Sequence, residues 1–248
     1  MILDRFNGGE FMNYSFYSSA VGAGSMQNRL DVVSNNISNV STTGYKSQNG
    51  YFGELVYKKI RATEGDNGNT TYGAGVKLKE TDTNFLQGNL TQTGMPLDYA
   101  IQGDGFFALY DPRTQTTSYT RDGSFQMSQQ QNGAFYLTDS EGKWVLDENR
   151  NPIVVENMED EHQIGVFVFA QKSGMVHLGN NEFQATEKNG NPVVQEDEGV
   201  LVRGALEDSN VDLMKEITDM MEIQRVYQMS VKMVQTSDEV ENTVNNLR

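Results

Sequence analysis

The chain has few residues whose type and spacing could do chemistry. His162 and His177 are its only histidines, and neither has the serine, carboxylate or histidine neighbours of a catalytic triad or a zinc site. Cysteine is absent, which excludes disulfides, thiolate metal sites and thiol nucleophiles. Asp147, Asn149 and Asn151 offer alternating oxygen donors like those of a calcium loop. The sixth position, however, is Pro152 where glycine is needed, and the twelfth is Met158 where a bidentate acid is needed. Gly103-Asp104-Gly105 could begin a phosphate loop, but no third glycine or lysine follows at the required distance and Phe106-Phe107 continue as a strand, so a tight turn is expected. Glu159-Asp160-Glu161 and Glu196-Asp197-Glu198 fit solvated turns. A carboxylate pair for glycan cleavage could come only from Glu156 to Glu161. No catalytic, metal-ligating or cofactor-binding residue is expected, and the chain is not expected to be an enzyme.

Charge narrows the partners. The formal net charge is −15, which argues against nucleic acid because phosphates demand a basic face. Between residues 81 and 200 the acidic residues outnumber the basic ones 18 to 6, so a solvated, self-repelling surface is expected in the middle of the chain. The longest strongly apolar run, Ile164 to Ala170, is too short to span a bilayer, and no membrane insertion is expected. Residues 1–11 contain Asp4, Arg5 and Glu10 and no apolar run of signal-peptide length.

If the chain has no site to position, its long elements must carry the function. From Ser209 onward the carboxy-terminal forty residues are expected to form one long helix. Leu213, Ile217, Met220, Gln224, Tyr227, Val231 and Val234 alternate at spacings of four and three, the a/d seam of a coiled coil. Met214, Met221, Val226, Met229 and Met233 form a second stripe beside it, so cover is expected on two sides. After Val234 the seam slips and resumes as Val240, Val244 and Leu247, which suggests a second segment. A long helix packed on its own globular core is the plainer alternative.

A matching heptad near the amino terminus runs through Phe16, Ser19, Ala23, Met26, Leu30, Val33, Ile37 and Val40. Small residues from Ser18 to Ser25 allow close approach, although each glycine weakens an isolated helix by roughly 1 kcal/mol. That helix should therefore need its partner. Gly44 is expected to terminate the segment. Asn35, Asn36 and Asn39 are unusual near a helix end, since amides compete with the backbone ladder. They fit either a fraying terminus or amides that bond to neighbouring chains.

The expected fold class is α+β, mostly β: paired amino- and carboxy-terminal coiled-coil helices with a β-rich middle domain. The domain plan has an extension over 1–11, a discontinuous helical domain over 12–44 and 206–248, a connecting segment over 45–75 and a β-rich outer domain over 76–205. Tyr45 to Ile60 lacks a clean period, leaving short helix and extended chain open. Strands are expected near 97–110, 117–127, 134–138, 143–146, 153–155, 165–170 and 200–203, divided by turn chemistry such as Arg121-Asp122-Gly123 and Lys188-Asn189-Gly190-Asn191-Pro192.

Four colinear stretches resemble the flagellar basal-body rod and hook family. They are Leu30 to Lys46 (LDVVSNNISNVSTTGYK); Gln87-Gly88-Asn89-Leu90 leading to Pro96 through Phe107 (PLDYAIQGDGFF); Tyr119 to Phe125 (YTRDGSF); and Leu206 to Val211 (LEDSNV) with Met221 to Tyr227 (MEIQRVY). The resemblance implies terminal helices paired as an inner coiled coil, a β-rich outer domain, and many copies stacked helically into the hollow drive shaft linking motor to hook. It implies self-assembly into a helical homopolymer, contact with other rod and hook proteins, and export by the flagellar type III apparatus without a cleaved signal peptide. It favours the inter-subunit reading of Asn35, Asn36 and Asn39. Family members usually begin near Met12. Residues 57–75, the region that differs among proximal rod, distal rod and hook proteins, resemble the distal type, and both rod positions stay open.

Two other classes remain open on the residues alone. One is a surface-binding β domain on a coiled-coil oligomerisation stalk; the other is a cell-wall-cleaving enzyme with a helical appendage. Neither accounts for matching heptads at both ends.

Overall fold

The computed structural model describes residues 8–55, 58–59, 71–72, 75–130, 133–157, 162–195 and 200–247. The expected linker at 63–75 lies almost wholly outside the described residues, as do residues 1–7 and both acidic triplets. The chain divides into two compact units, 1–37 with 48–81 and 213–248, and 38–47 with 82–212. Residues 48–81, expected to be partly connector and partly outer domain, group with the helices.

The first unit contains α1 (Gly8–Ser38), β1 (Gln48–Glu54), β2 (Lys58–Lys59), β3 (Thr71–Tyr72), β4 (Val76–Thr83) and α2 (Leu213–Asn246). β1 pairs with β4 and β2 with β3, so the ambiguous stretch after Tyr45 is a strand over Gln48–Glu54. α2 starts at Leu213, after the expected start at Ser209, and runs without interruption through the seam slip at Val234. Its last apolar residues, Val240, Val244 and Leu247, are 45%, 47% and 82% exposed. Among the described residues, no helix is long and apolar enough to cross a membrane.

The second unit contains β5 (Leu90–Gln92), β6 (Tyr99–Ile101), β7 (Phe106–Asp111), β8 (Thr116–Thr120), β9 (Gln126–Gln129), β10 (Phe135–Thr138), β11 (Trp144–Val145), β12 (Val166–Val168), β13 (Val176–Gly179), β14 (Glu182–Gln184), β15 (Val193–Val194), β16 (Leu201–Arg203) and β17 (Ala205–Glu207). Nine of these strands form one sheet in the order β13-β14-β8-β7-β11-β10-β9, with β12 joining β7 to β15. β16 pairs with β6 and β17 with β5, all antiparallel. The protein is thus α+β, with a helix toward each end of the chain and antiparallel sheets between.

β7 organises this unit. Its run Phe106-Phe107-Ala108-Leu109 is buried residue by residue because both faces are covered, so no polar alternation is possible. Phe107 and Leu109 join one apolar cluster with Tyr99, Phe125, Leu137 and Val145. Phe106 and Ala108 join another with Tyr119, Phe167, Phe169 and Phe183. The expected single strand over 97–110 is two strands, because Gly103 and Gly105 turn the chain at φ 98° and 141°. A Cβ on Gly105 would sit 2.4 Å from Val166 Cγ1.

Candidate functional site

In the first unit the candidates are helix faces. On α1, Phe16, Ser19, Ala23, Met26, Leu30 and Ile37 are half-buried and Val33 is buried. Part of that cover is β4: Ser25 Oγ donates to the Val76 carbonyl, and a Cβ on Gly75 would lie 3.1 Å from Val21. α2 approaches as well. Asn36 Nδ2 donates to Glu216 Oε1 at 3.2 Å, and a Cβ on Gly22 would lie 3.8 Å from Ser230 Oγ. Moving fourteen residues down α1 therefore moves fourteen up α2, the relation of antiparallel neighbours.

The covered stripe of α2 differs from the expected seam. Within one chain the buried and half-buried residues include Glu216, Met220, Ile223, Tyr227, Ser230, Val234 and Ser237, again at spacings of four and three. Ile223 is 1% exposed and Glu216 is 7% exposed. Of the expected seam, Met220, Tyr227 and Val234 lie on this stripe and Val231 is half-buried beside it. Leu213 and Ile217 are each 40% exposed. The two stripes are displaced by three residues, about 60° round a helix of 3.6 residues per turn. The buried Asn36–Glu216 bond lies at the end of the covered stripe, and apolar periodicity carries no trace of it. Met214, Met221, Met229 and Met233 stand exposed.

The asparagines separate. Asn35 is exposed, whereas Asn36 is 1% exposed. Besides Glu216, Asn36 donates to the Gln48 carbonyl and accepts from the Gln48 N–H, both at 2.9 Å, so its amide joins α1 to the start of β1 inside the chain. Asn39 Oδ1 accepts from Thr42 Oγ1 in the turn after α1.

In the second unit the four resembling stretches converge on a buried charge junction that sequence reading missed. Glu207 Oε1 accepts from Lys46 Nζ at 2.5 Å and from the Gly88 N–H at 2.8 Å, while Oε2 accepts from Arg121 Nη1 at 3.0 Å. Lys46 also donates to the Leu86 carbonyl and Arg121 to the Gly103 carbonyl. The guanidinium lies over the Phe106 ring. Burial pushes the Lys46 ammonium below its ordinary pKa, and the Glu207 carboxylate opposes that effect. Beside the junction, Gly44 N–H donates to the Glu207 carbonyl at φ 65°. Asn210 accepts from Ser47 N–H and donates to the Asn84 and Leu86 carbonyls. These residues hold five distant chain segments together, which is structural chemistry.

The other chemical candidates are occupied locally. Asp147 accepts from the Asn151 N–H within its own turn. His177 Nε2 lies 2.6 Å from Thr83 Oγ1, with its ring edge-on to Phe183, and burial lowers its pKa. His162 is buried. Asp104 is paired with Lys172 at 2.5 Å.

Three family models match the chain: flagella basal body rod protein over residues 17–46, flagellar hook protein FlgE/F/G D1 domain over 100–176, and flagellar basal body rod FlgEFG protein C-terminal over 202–247. The chain is 32% identical over 255 residues to the flagellar basal-body rod protein FlgG of Buchnera aphidicola subsp. Schizaphis graminum, covering 91% of this chain and 96% of the relative. It is 31% identical to that of Bacillus subtilis, covering 94% and 98%. To that of Borreliella burgdorferi it is 30% identical, covering 96% and 99%.

Proposed function

The chain belongs to the flagellar basal-body rod protein family, FlgG type, and from that membership we propose how it is built into the rod. It is a structural subunit of the flagellar basal body, associated with rod and hook proteins, and not an enzyme. We infer that α1 and α2 pair as an antiparallel coiled coil and that copies polymerise helically through the faces this pair leaves uncovered. In that pairing Phe16 faces Ser237, Ser19 faces Val234, Ala23 faces Ser230, Met26 faces Tyr227, Leu30 faces Ile223, Val33 faces Met220 and Ile37 faces Glu216. The observation that carries the register is that the α1 heptad and the covered α2 stripe step by the same threes and fours in opposite directions, with Asn36–Glu216 and Gly22–Ser230 beside that register. Small residues in the Ser19 and Ala23 layers allow the close approach that four-carbon side chains would prevent.

Under this reading Met214, Met221, Met229 and Met233 meet neighbouring subunits, together with Asn35, and Leu213 and Ile217 complete the inter-subunit face. Export by the flagellar type III apparatus rests on family membership alone. Because the chain has no cysteine, disulfide trapping tests the register on a clean background. Leu30→Cys with Ile223→Cys should oxidise rapidly in the purified chain, and Leu30→Cys with Ile217→Cys slowly. Equal rates would refute the register. Restoration of swimming in a rod-deficient strain by the reduced but not the oxidised form of an Asn35→Cys, Met221→Cys variant would place both residues at subunit contacts.

A further inference from the structure

In the second unit, away from the charge junction, three carboxylates come together from two turns. Asp139 closes β10 and begins the turn to β11. Its Oδ1 accepts the Glu141 and Lys143 N–H groups, both at 2.9 Å, which fixes the turn and aims the Glu141 side chain back across it. Glu182 follows the Asn180-Asn181 turn, where two successive positive-φ residues make the tight reversal between β13 and β14. One oxygen from each of Asp139, Glu141 and Glu182 lies within 4.8 Å of the others.

Two further observations point to a ligand. Glu182 has 3% of its side chain exposed; its Oε1 is engaged by Lys143, but its Oε2 is buried without a hydrogen-bond partner. A buried carboxylate oxygen left in this state is costly unless a donor or cation completes it. Beside it lies a cavity of about 20 Å³ lined by Asp139, Glu141, Glu182, Asn180 and Thr120. That is room for one water or one ion, since roughly 10–15 Å³ suffices for a single such sphere.

We propose that Asp139, Glu141 and Glu182 form a binding site for one divalent cation, with calcium favoured over magnesium. Lys143 bonds both Glu141, at 2.8 Å, and Glu182, Asn180 Nδ2 donates to Glu141 Oε1, and one ammonium against three carboxylates leaves an excess of negative charge that suits a divalent ion. Calcium accepts several carboxylate oxygens in flexible geometry, whereas magnesium dehydrates reluctantly and is seldom held by an all-protein cage, so three protein carboxylates favour calcium. No sequence motif announces the site, because its ligands are separated by some forty residues and meet only through sheet pairing.

The test is calorimetric titration of the chelator-treated full chain with calcium chloride and, separately, magnesium chloride. Calcium should bind one to one with Kd of about 10⁻⁴–10⁻³ M, the range of modest extracellular sites, and magnesium at least several-fold more weakly. Glu141→Gln, a substitution at a partly exposed side chain that leaves the fold intact, should weaken calcium at least tenfold; Asp139→Asn and Glu182→Gln should do the same where they fold. Absence of saturable binding by the unsubstituted chain up to about 10 mM calcium, well above that range, would overturn the proposal. So would calcium affinity unchanged by Glu141→Gln.

Discussion

Lys46 and Glu207 stand 161 residues apart in the chain and 2.5 Å apart in the fold, and neither has exposed side-chain surface. With Arg121 on the other carboxylate oxygen, Glu207 bonds two buried cations at once. Removing it should be worse than removing either cation. Replacing one member of a buried pair leaves the others uncompensated, at a cost of about 3–5 kcal/mol. Glu207→Gln should therefore lower the unfolding free energy of the second unit by about that much, and Lys46→Met by less, because Arg121 still pairs with Glu207. Urea unfolding followed by Trp144 fluorescence checks the order. A larger loss from Lys46→Met would contradict it.

The same lysine sets a pH dependence. Its folded pKa lies below its ordinary value of 10.5 because burial disfavours the charged form. Between the folded value and 10.5 the unfolded chain therefore binds more protons than the folded one. Stability from this group must then rise with pH across that window. The difference in unfolding free energy between the natural chain and Lys46→Met should shift in favour of the natural chain as pH rises toward 10.5. A difference that is flat or falling in paired urea titrations would show that the ion pair outweighs burial.

Gly44 carries a purely steric prediction. At φ 65° its missing Cβ would stand 2.5 Å from both the Arg121 carbonyl carbon and the Asp122 nitrogen. Left-handed backbone alone costs a residue with a Cβ about 1–2 kcal/mol, and here the clash is with main chain that cannot swing aside. Gly44→Ala should lower stability by more than about 2 kcal/mol, whereas Gly142→Ala, at φ 83° with open space around it, should lose only the conformational part. Comparison of their urea midpoints distinguishes the two causes.

What could be foreseen from the sequence followed local pattern. Phe106-Phe107 marked a strand, though not that both its faces are covered, and Gly103-Asp104-Gly105 marked a turn. The hairpin of β13 and β14 was missed although Asn180-Asn181 is the residue pair its turn requires. The charge junction had no local sign, since Lys46, Arg121 and Glu207 are ordinary charged residues until strand pairing excludes water from them. On α2, both stripes contain Met220, Tyr227 and Val234, so periodicity could not distinguish them. The structure covers the less apolar one, where Asn36 and Glu216 meet.

That rotation of the stripe leads to the most discriminating prediction. Ile223 is 1% exposed, and a carboxylate there would be buried without a partner. Ile223→Asp should destabilise the isolated chain by about 3 kcal/mol or more and reduce its helical circular dichroism. Met221 and Met229 lie on the same helix at 49% and 60% exposure. Aspartate at both should change the stability of the isolated chain by no more than about 0.5 kcal/mol each, as at ordinary surface positions. If the methionine face meets neighbouring subunits, this second variant will fold normally yet fail to build rods, leaving a rod-deficient strain unable to swim. Normal swimming would remove the methionine face from the assembly contacts. Loss of helicity in the Met221, Met229 variant would instead mean that the methionine face is already packed within the isolated chain.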